Sequence, residues 1–275
     1  MNKFILPHTS ASDSNLMHDN PFAWRWKHAE FWGRMPYQTK ITPVLPRGNA
    51  VEHGGDQILL HQASVEDASD AAQNDFLVRV EKEKADDLNE EEAIQYNDIP
   101  AYIAQLHRAL HSDDFKELNL GKFISRQGFH KEIIPTQAGE MEFWGYSDWT
   151  FEEGTVDLKT TTAIPGMMRD SHAFQLGFYA DMTGLDQYCL YCKPVGALTP
   201  TGKVSKAVGF AFRKLNKTQQ EFVRSERIAR AKHMAAMYSL SWEQAQYLTM
   251  PRDIGGFRWD DGLRELANKE WGILK

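Results

Sequence analysis

The densest group of residues that could do chemistry lies just past the middle of the chain. Asp148 is followed, beyond a Glu-Glu-Gly turn, by the run Asp157-Leu158-Lys159. Alternate side chains of an extended strand point to the same face, so Asp157 and Lys159 share one side. A hairpin at the turn folds Asp148 back beside Asp157. We therefore expect two carboxylates and one ammonium group at a single point.

This group of side chains suits a divalent cation. Neighbouring carboxylates repel each other and are costly to bring together unless a cation lies between them. Hard oxygen ligands favour Mg²⁺ or Mn²⁺, and a lysine beside a metal-bound water can position or deprotonate it. The group thus predicts metal-assisted hydrolysis of a phosphodiester. The alternative is a solvent-facing Asp-x-Lys strand, but aspartate is depleted in strand interiors, and both aspartates lie in apolar strands.

The surrounding pattern predicts an α/β core around these residues. β-branched and aromatic residues alternate with turn residues after position 122, which indicates an antiparallel meander followed by a helix, two further strands and a long helix. The expected strands are 129–136, 141–151, 155–161, 187–193 and 205–213, and the expected helices are 171–182, 216–238 and 242–248.

The region before the meander reads as helical. We expect a loop at 43–48, a helix at 48–61, and helices at 68–84 and 90–110 that break or restart at Pro100. The pair Gly54-Gly55 weakens its helix by about 1 kcal/mol per residue relative to alanine. Close backbone packing is a reason for such a pair to be tolerated.

In this arrangement the chain resembles the PD-(D/E)XK nuclease superfamily, in its RecB-like and lambda-exonuclease-like branch. The resemblance lies in Gly145-x-x-Asp148, Asp157-Leu158-Lys159 and Gln175-x-x-x-Tyr179, and it covers residues 125–195 best. It implies a restriction-endonuclease-like core, in which a mixed sheet starting with an antiparallel meander is flanked by helices, with a helical N-terminal part. It also implies that Gln175 lies near the metal site and that Tyr179 lies near DNA or in the core.

The same branch carries a further ligand on a helix before the sheet. Gly48-x-x-x-Glu52 has the matching spacing, so the resemblance implies a metal site made of Glu52, Asp148, Asp157 and the Leu158 carbonyl, with Lys159 and Gln175 completing the catalytic set. His53 lies about 100° further around the helix and is the weaker candidate. Taken alone, Glu52 would read as an ordinary exposed helix carboxylate.

Several residues are candidates for contact with DNA. Ser10 and Ser12 lie in a segment similar to the family's serine-containing N-terminal segment, where a helix start can hold a phosphate, although a simple N-cap explains them equally well. Lys and Arg residues are expected to line the groove collectively, since a polyanion needs charge neutralisation. These are Arg25, Lys27, Arg47, Lys122, Arg126, Lys131, Lys193, Lys203, Lys206, Arg213 and Lys214.

The resemblance does not include the cysteines that would bind an iron–sulfur cluster. Where RecB-like relatives often have Cys-Pro, this chain has Asn20-Pro21. Its two cysteines, Cys189 and Cys192, are too few for a four-iron cluster and fall in a predicted strand. We expect both to be core residues, and the expected cofactor is Mg²⁺ or Mn²⁺ alone.

Charge and composition set the expected class and setting. The net charge is −7, with 12 acidic and 3 basic residues in 62–98 but 9 basic and 2 acidic residues in 200–235, so a basic region accompanies an acidic one. Apolar residues make up 42% of the chain, without a run long enough to span a membrane. Two cysteines and no secretory segment predict a cytoplasmic protein, bacterial or in a phage-infected host.

The resulting hypothesis is a single nuclease domain over 1–275, with an N-terminal helical part (1–61), an acidic helical insertion (62–115), a catalytic core (116–215) and C-terminal helices (216–275). We expect a metal-dependent DNA nuclease, with an exonuclease favoured, that acts on single- or double-stranded linear ends in DNA recombination, repair or phage DNA processing. Its partners would include DNA, a recombination or single-strand annealing protein, and further copies of itself. The alternatives are a catalytically silent nuclease-fold module that binds DNA or protein, and a structure-specific endonuclease.

Overall fold

A computed structural model describes residues 6–38, 42–195, 209–251 and 259–272. The strands are β1 (Thr9–Ser10), β2 (Phe123–Thr136), β3 (Gly139–Phe151), β4 (Gly154–Thr160), β5 (Asp186–Cys192) and β6 (Phe210–Lys214). The helices are α1 (Ala11–Asp19), α2 (Pro21–Lys27), α3 (Val44–His61), α4 (Val65–Arg79), α5 (Glu90–Leu110), α6 (Asp113–Glu117), α7 (Asp170–Thr183), α8 (Lys217–Tyr238), α9 (Trp242–Leu248) and α10 (Asp261–Trp271).

The strands form one mixed sheet in the order β1-β3-β4-β5-β6, with β2 also paired to β3. β2, β3 and β4 are antiparallel neighbours, β5 runs parallel to β4, and β6 is antiparallel to β5. The parallel step needs a crossover connection, and α7 supplies it. The expected α/β class and the antiparallel meander are confirmed, because hydrophobic alternation and turn residues fix hairpins locally.

The edge of β3 has a gap that matters for the site. β2 pairs with β3 along nearly its whole length, so β1 and β4 must share the other edge. β1 pairs with Phe143 and Trp144, whereas β4 pairs with Trp149 and Thr150. The stretch 145–148 therefore has no strand neighbour on that side, over about 13 Å.

Two apolar cores enclose the sheet. α7 and α8 pack on one face, where Phe143, Phe174 and Tyr191 are buried, and α3, α4 and α5 cover the other, where Trp149 and Leu190 are buried. The side chains of β5 alternate between these two cores, as expected for a central strand covered on both faces. Cys189 and Cys192 are both free and buried there, in agreement with their expected role as core residues.

The helices of residues 62–115 pack as part of the second core. Ala68, Ala72 and Phe76 of α4 and Ile103 of α5 are fully buried, while the acidic side chains of this region are mostly exposed. A methyl group on Gly54 would lie 2.3 Å from the Ile103 side chain, so α3 approaches α5 more closely than alanine allows. The glycine pair is thus explained by close helix packing.

Two local predictions are wrong. α3 begins at Val44 instead of Gly48, because Pro46 falls in the first turn, where the missing N–H has no helical partner to lose. α5 continues through Pro100 without a break. Burial of Ile99 and Tyr102 beside that proline favours the helix against a local cost of about 3 kcal/mol.

Two further boundaries differ, since β2 begins at Phe123 instead of 129 and α4 ends at Arg79 instead of 84, whereas the other expected ones are closer. The long helix begins behind Asn216, which forms a capping box with Gln219, as the sequence predicts. Of the strand expected at 205–213, residues 205–208 lie outside the described part of the chain, and β6 covers 210–214. None of the helices in the described ranges is both long and apolar enough to cross a bilayer.

Candidate active site

β3 and β4 bring Asp148 and Asp157 together. The last paired residues of the hairpin are Trp149 and Val156, and continuing the same register sets Asp148 opposite Asp157. Beyond this pair, a side chain takes the place of a backbone hydrogen-bond acceptor, because the Leu158 amide donates to Asp148 Oδ2 at 2.7 Å. The residue between Asp157 and Lys159 thus belongs to the site through its backbone, while its side chain packs in the second core.

Asp157 and Lys159 form a close, buried ion pair. Lys159 Nζ lies 2.5 Å from Asp157 Oδ2, and the Asp157 side chain is only 1% exposed. The Lys159 ammonium thus partners Asp157 Oδ2, while Asp157 Oδ1 is buried and has no hydrogen-bond partner among the described protein groups. A buried carboxylate oxygen without a donor is costly. Asp157 therefore has ligand capacity that the described protein groups do not use.

Glu52 reaches the same place from α3. Its carboxylate accepts a hydrogen bond from the Gln127 side chain on β2. Burial, together with the negative charges of Asp56 and Asp157, raises the pKa of Glu52 to about 7 despite that hydrogen bond. Glu52 on the helix and Asp157 on the strand therefore lie within electrostatic reach of each other.

The local charge of the cluster is unbalanced. Burial and the nearby charges of Asp157 and Glu52 raise the pKa of Asp148 well above its usual range. Burial alone would lower the pKa of Lys159, but the carboxylates of Asp157 and Asp148 outweigh burial and raise it. Lys159 is thus a permanent cation facing three carboxylates, which leaves an excess of negative charge when all three are ionised.

This donor set fits a hard divalent cation. Three carboxylates from three different elements, one of them with a buried oxygen that has no hydrogen-bond partner, are the ligands that Mg²⁺ and Mn²⁺ prefer. Among the described residues, however, no three His, Cys, Asp or Glu side chains already stand at metal-ligand spacing. The side chains would have to close by rotation around the ion.

Gln175 and Tyr179 lie on α7 beside this cluster. Gln175 Nε2 donates to Tyr179 Oη at 2.9 Å, and Tyr179 Oη donates to the Tyr146 carbonyl at 2.5 Å. Burial and the charge of Asp157 raise the pKa of Tyr179, so the tyrosine stays neutral. A methyl group on Gly145 would lie 2.8 Å from the Tyr179 ring, so this glycine lets α7 approach β3.

Ser10 and Ser12 lie at the start of α1, near the same place. Ser10 caps the helix by accepting from the Asp13 amide, which is the simple N-cap role. Both serines line a cavity of about 340 Å³ together with residues of β3 and α7. The other lining residues are His8, Ala11, Asp13, Trp144, Gly145, Tyr146, Gln175 and Tyr179.

Two arginines expected to contact DNA are buried instead. Arg25 is 0% exposed; it pairs with Glu270 at 2.5 Å and packs 4.2 Å from the Trp242 ring centre. Arg47 is 5% exposed, donates to Gln95 at 2.6 Å, and stacks over Tyr102. Neither guanidinium presents a surface to a phosphate, so both predictions need correction. Aromatic rings and internal carboxylate or amide partners compensate these cations inside the fold.

The remaining candidate residues are dispersed. His53 is half-buried on α3, next to Glu52. Four of these remaining phosphate contacts are held by acidic partners: Lys27 by Asp13, Arg126 by Asp56, Lys131 by Glu142 and Lys214 by Asp186. Lys203 and Lys206 lie outside the described residues.

Two residues that influence the Glu52 carboxylate, Gln127 and Asp56, were not predicted from the sequence. Gln127 holds its carboxylate from a left-handed backbone conformation with φ of 50°, and no sequence signal indicates this long-range contact. Asp56 lies one helical turn after Glu52 and binds both Arg126 (2.9 Å) and the Trp149 indole (2.8 Å). Its i, i+4 spacing from Glu52 is the signal that could have found it.

Comparisons with known proteins leave this site without a close relative. The chain matches no protein-family model and no curated protein. Among solved structures it is similar to "Crystal structure of SSO0001", at 11% identity and a TM-score of 0.29, over 76% of this chain and 84% of that one. A likeness this low carries no argument about fold or function.

Proposed function

We propose that this chain is a divalent-metal-dependent DNA nuclease of the PD-(D/E)XK type, most consistent with an exonuclease. The observation that carries the proposal is the β3–β4 hairpin, which sets Asp148 beside Asp157 and its partner Lys159, with Glu52 of α3 within electrostatic reach of both aspartates. Restriction-endonuclease-like topology is part of the same proposal, supported by the meander, the crossover helix α7 and the parallel strand β5. A role in DNA recombination, repair or phage DNA processing follows from the resemblance alone.

In the proposed mechanism the protein arranges charge around the scissile phosphate. Glu52, Asp148, Asp157 and the Leu158 carbonyl would hold Mg²⁺ or Mn²⁺, which supplies Lewis-acid charge and a more acidic bound water. The Lys159 ammonium, 2.5 Å from Asp157, is placed to orient the attacking water and to offset negative charge in the transition state.

Degradation of linear DNA in Mn²⁺ or Mg²⁺ tests the proposal. We expect cleavage that EDTA abolishes and added metal restores, with a loss of at least 100-fold in Lys159→Ala and Asp157→Asn, because each removes charge that acts in the transition state. Glu66→Gln, an exposed carboxylate on α4, is the matched control and should cleave normally. Full activity in either site variant would overturn the assignment. Closed circular DNA, compared with linear DNA, separates an exonuclease from an endonuclease.

One observation favours a second candidate, a nuclease fold that binds DNA or protein without cleaving it. The described acidic side chains do not stand at metal-ligand spacing, and Lys159 occupies the approach to Asp157. Calorimetric titration with Mn²⁺ discriminates the two candidates. A site that Asp157→Asn removes supports the enzyme, whereas the absence of heat in the unmodified protein supports the binding module.

A further inference from the structure

An exposed group of aromatic side chains lies on the β2–β3 ribbon. Phe129 and Tyr146 are 49% and 51% exposed, and their ring centres are 5.2 Å apart. Trp144 contacts Phe129 edge to face at 5.7 Å. Phe129, Trp144 and Tyr146 are named the aromatic platform below. In a sheet with its largest aromatics mostly in the cores, such a group is unusual and marks an interaction surface.

The aromatic platform already holds one stacked ring. The exposed His8 lies parallel to Trp144, with ring centres 4.1 Å apart and an angle of 13° between the planes. Lys131 Nζ lies 6.0 Å from the Trp144 ring centre. Flat rings with a basic residue at their edge suit a planar, electron-rich group attached to a negative backbone.

The platform is continuous with the candidate active site. Trp144 and Tyr146 line the 340 Å³ cavity that Gln175 and Tyr179 also line, at the gap where β3 has no strand neighbour. Asp148 lies two residues beyond Tyr146 on the same strand, a rise of about 7 Å. Tyr179, which contacts the Tyr146 carbonyl, also lies within electrostatic reach of Asp157. A ligand lying on the platform therefore extends toward the carboxylates.

We propose that the aromatic platform stacks the unpaired bases at the end of a nucleic-acid strand, so that the substrate is a single-stranded end. The inference extends the proposed nuclease function. Base stacking does not depend on cleavage, but calling the bound strand a substrate rests on the nuclease proposal. Bases inside a duplex stack on each other and present only their edges, so a protein ring can stack only on a base with a free face. The occupant is a nucleic-acid strand and not an apolar peptide, because the rings are bordered by the exposed, stacked His8 and by the Lys131–Glu142 ion pair.

Binding measured without cleavage tests the inference. Lys159→Ala protein in EDTA is titrated into a fluorescent single-stranded oligonucleotide, a blunt hairpin duplex and the same duplex with a single-stranded tail. We expect the single strand and the tailed duplex to bind more tightly than the blunt duplex. Trp144→Leu and Tyr146→Leu, which keep apolar bulk without a ring, should each weaken single-strand binding about tenfold.

Controls separate stacking from loss of structure. Trp144→Phe and Tyr146→Phe keep a ring and should bind within about threefold of the parent. If these side chains only filled volume, the phenylalanine and leucine variants would bind equally well. Phe222→Ala removes an exposed ring (67% exposed) on α8 and should leave binding unchanged. Leucine variants that bind like the parent, or a parent that prefers the blunt duplex or an apolar peptide, would overturn the inference. Binding as expected in a protein that never cleaves DNA would instead overturn the nuclease proposal alone.

Discussion

The pKa of the Glu52 carboxyl group is raised by its surroundings in the fold. Burial and the charges of Asp56 and Asp157 raise its pKa to about 7, although Gln127 donates a hydrogen bond to its carboxylate. A carboxyl group whose folded-state pKa is raised binds its proton more tightly in the native state. Its contribution to stability is therefore complete below pH 4 and is lost as the pH rises toward 7. Without metal, the ionised carboxyl group thus destabilises the folded protein at neutral pH.

The pH dependence of the free energy of unfolding tests this destabilisation. In the presence of a chelator, we expect the free energy of unfolding to fall between pH 4.5 and 7.5, with Glu52 contributing up to about 3 kcal/mol. Glu52→Gln should flatten part of the decrease, leaving the part that Asp148 contributes in the same direction. Urea unfolding across this range measures it, with Glu66→Gln as the control. An identical slope in Glu52→Gln would show that its carboxyl group is not perturbed.

At the scale of elements, the position of α3 decides whether Glu52 reaches the sheet. Gly55 lies against the Trp149 ring, and an added methyl group would be 2.6 Å from that ring. Trp149 in turn donates to Asp56, which binds Arg126 on β2. These contacts join α3 to both strands of the ribbon, one turn from the candidate metal ligand. The glycine is therefore part of what positions the carboxylate.

Gly55→Ala measures how tight this packing is. Alanine should gain about 1 kcal/mol of helix propensity, but overpacking against Trp149 should cost about 1–3 kcal/mol. We expect a net loss of stability and weaker nuclease activity, since α3 must shift away from β3. Gly166→Ala, at a glycine with open space around it, is the control for a neutral substitution. A Gly55→Ala protein as stable as the parent would mean that the helix and the ring can separate without cost.

At the scale of the whole molecule, the two ends of the chain are joined by a buried ion pair. Arg25 of α2 is fully buried and contacts Glu270 of α10, 245 residues away. The same region forms a third apolar cluster, in which Phe22 packs against Trp259 with ring centres 5.4 Å apart. Burial lowers the pKa of Arg25, and Glu270 counteracts that effect. The C-terminal helix thus completes the environment of an N-terminal charge.

Removing one partner of this pair should lower the free energy of unfolding more than removing both. Glu270→Met leaves a buried guanidinium without its carboxylate and should cost about 3–5 kcal/mol, whereas Arg25→Met/Glu270→Met should recover most of it. Lys269→Met, at the exposed neighbouring position on α10, should change stability by less than about 0.5 kcal/mol. Denaturant unfolding of the parent, Arg25→Met, Glu270→Met and the double variant measures the coupling. Additive single and double variants would show that the pair is not coupled in solution.

The sequence by itself determined the hairpin and which of its side chains lie together. The period of two in β4 sets Asp157 and Lys159 on one face, and the Glu-Glu-Gly turn brings Asp148 beside them, so the antiparallel meander and the proximity of these three side chains were predictable from local pattern. The capping box at Asn216 was equally local. Such features depend on residues only a few positions apart, and their geometry follows from backbone regularity.

Only the tertiary structure decided where the distant parts of the chain meet. The support of Glu52 by Gln127, the closeness of α3 to Trp149, and the burial of Arg25 and Arg47 each join residues tens or hundreds of positions apart. A lysine or arginine looks the same in a sequence whether it is exposed or buried. Its environment depends on how whole helices pack, and that packing is a sum of many small contacts that no short pattern encodes.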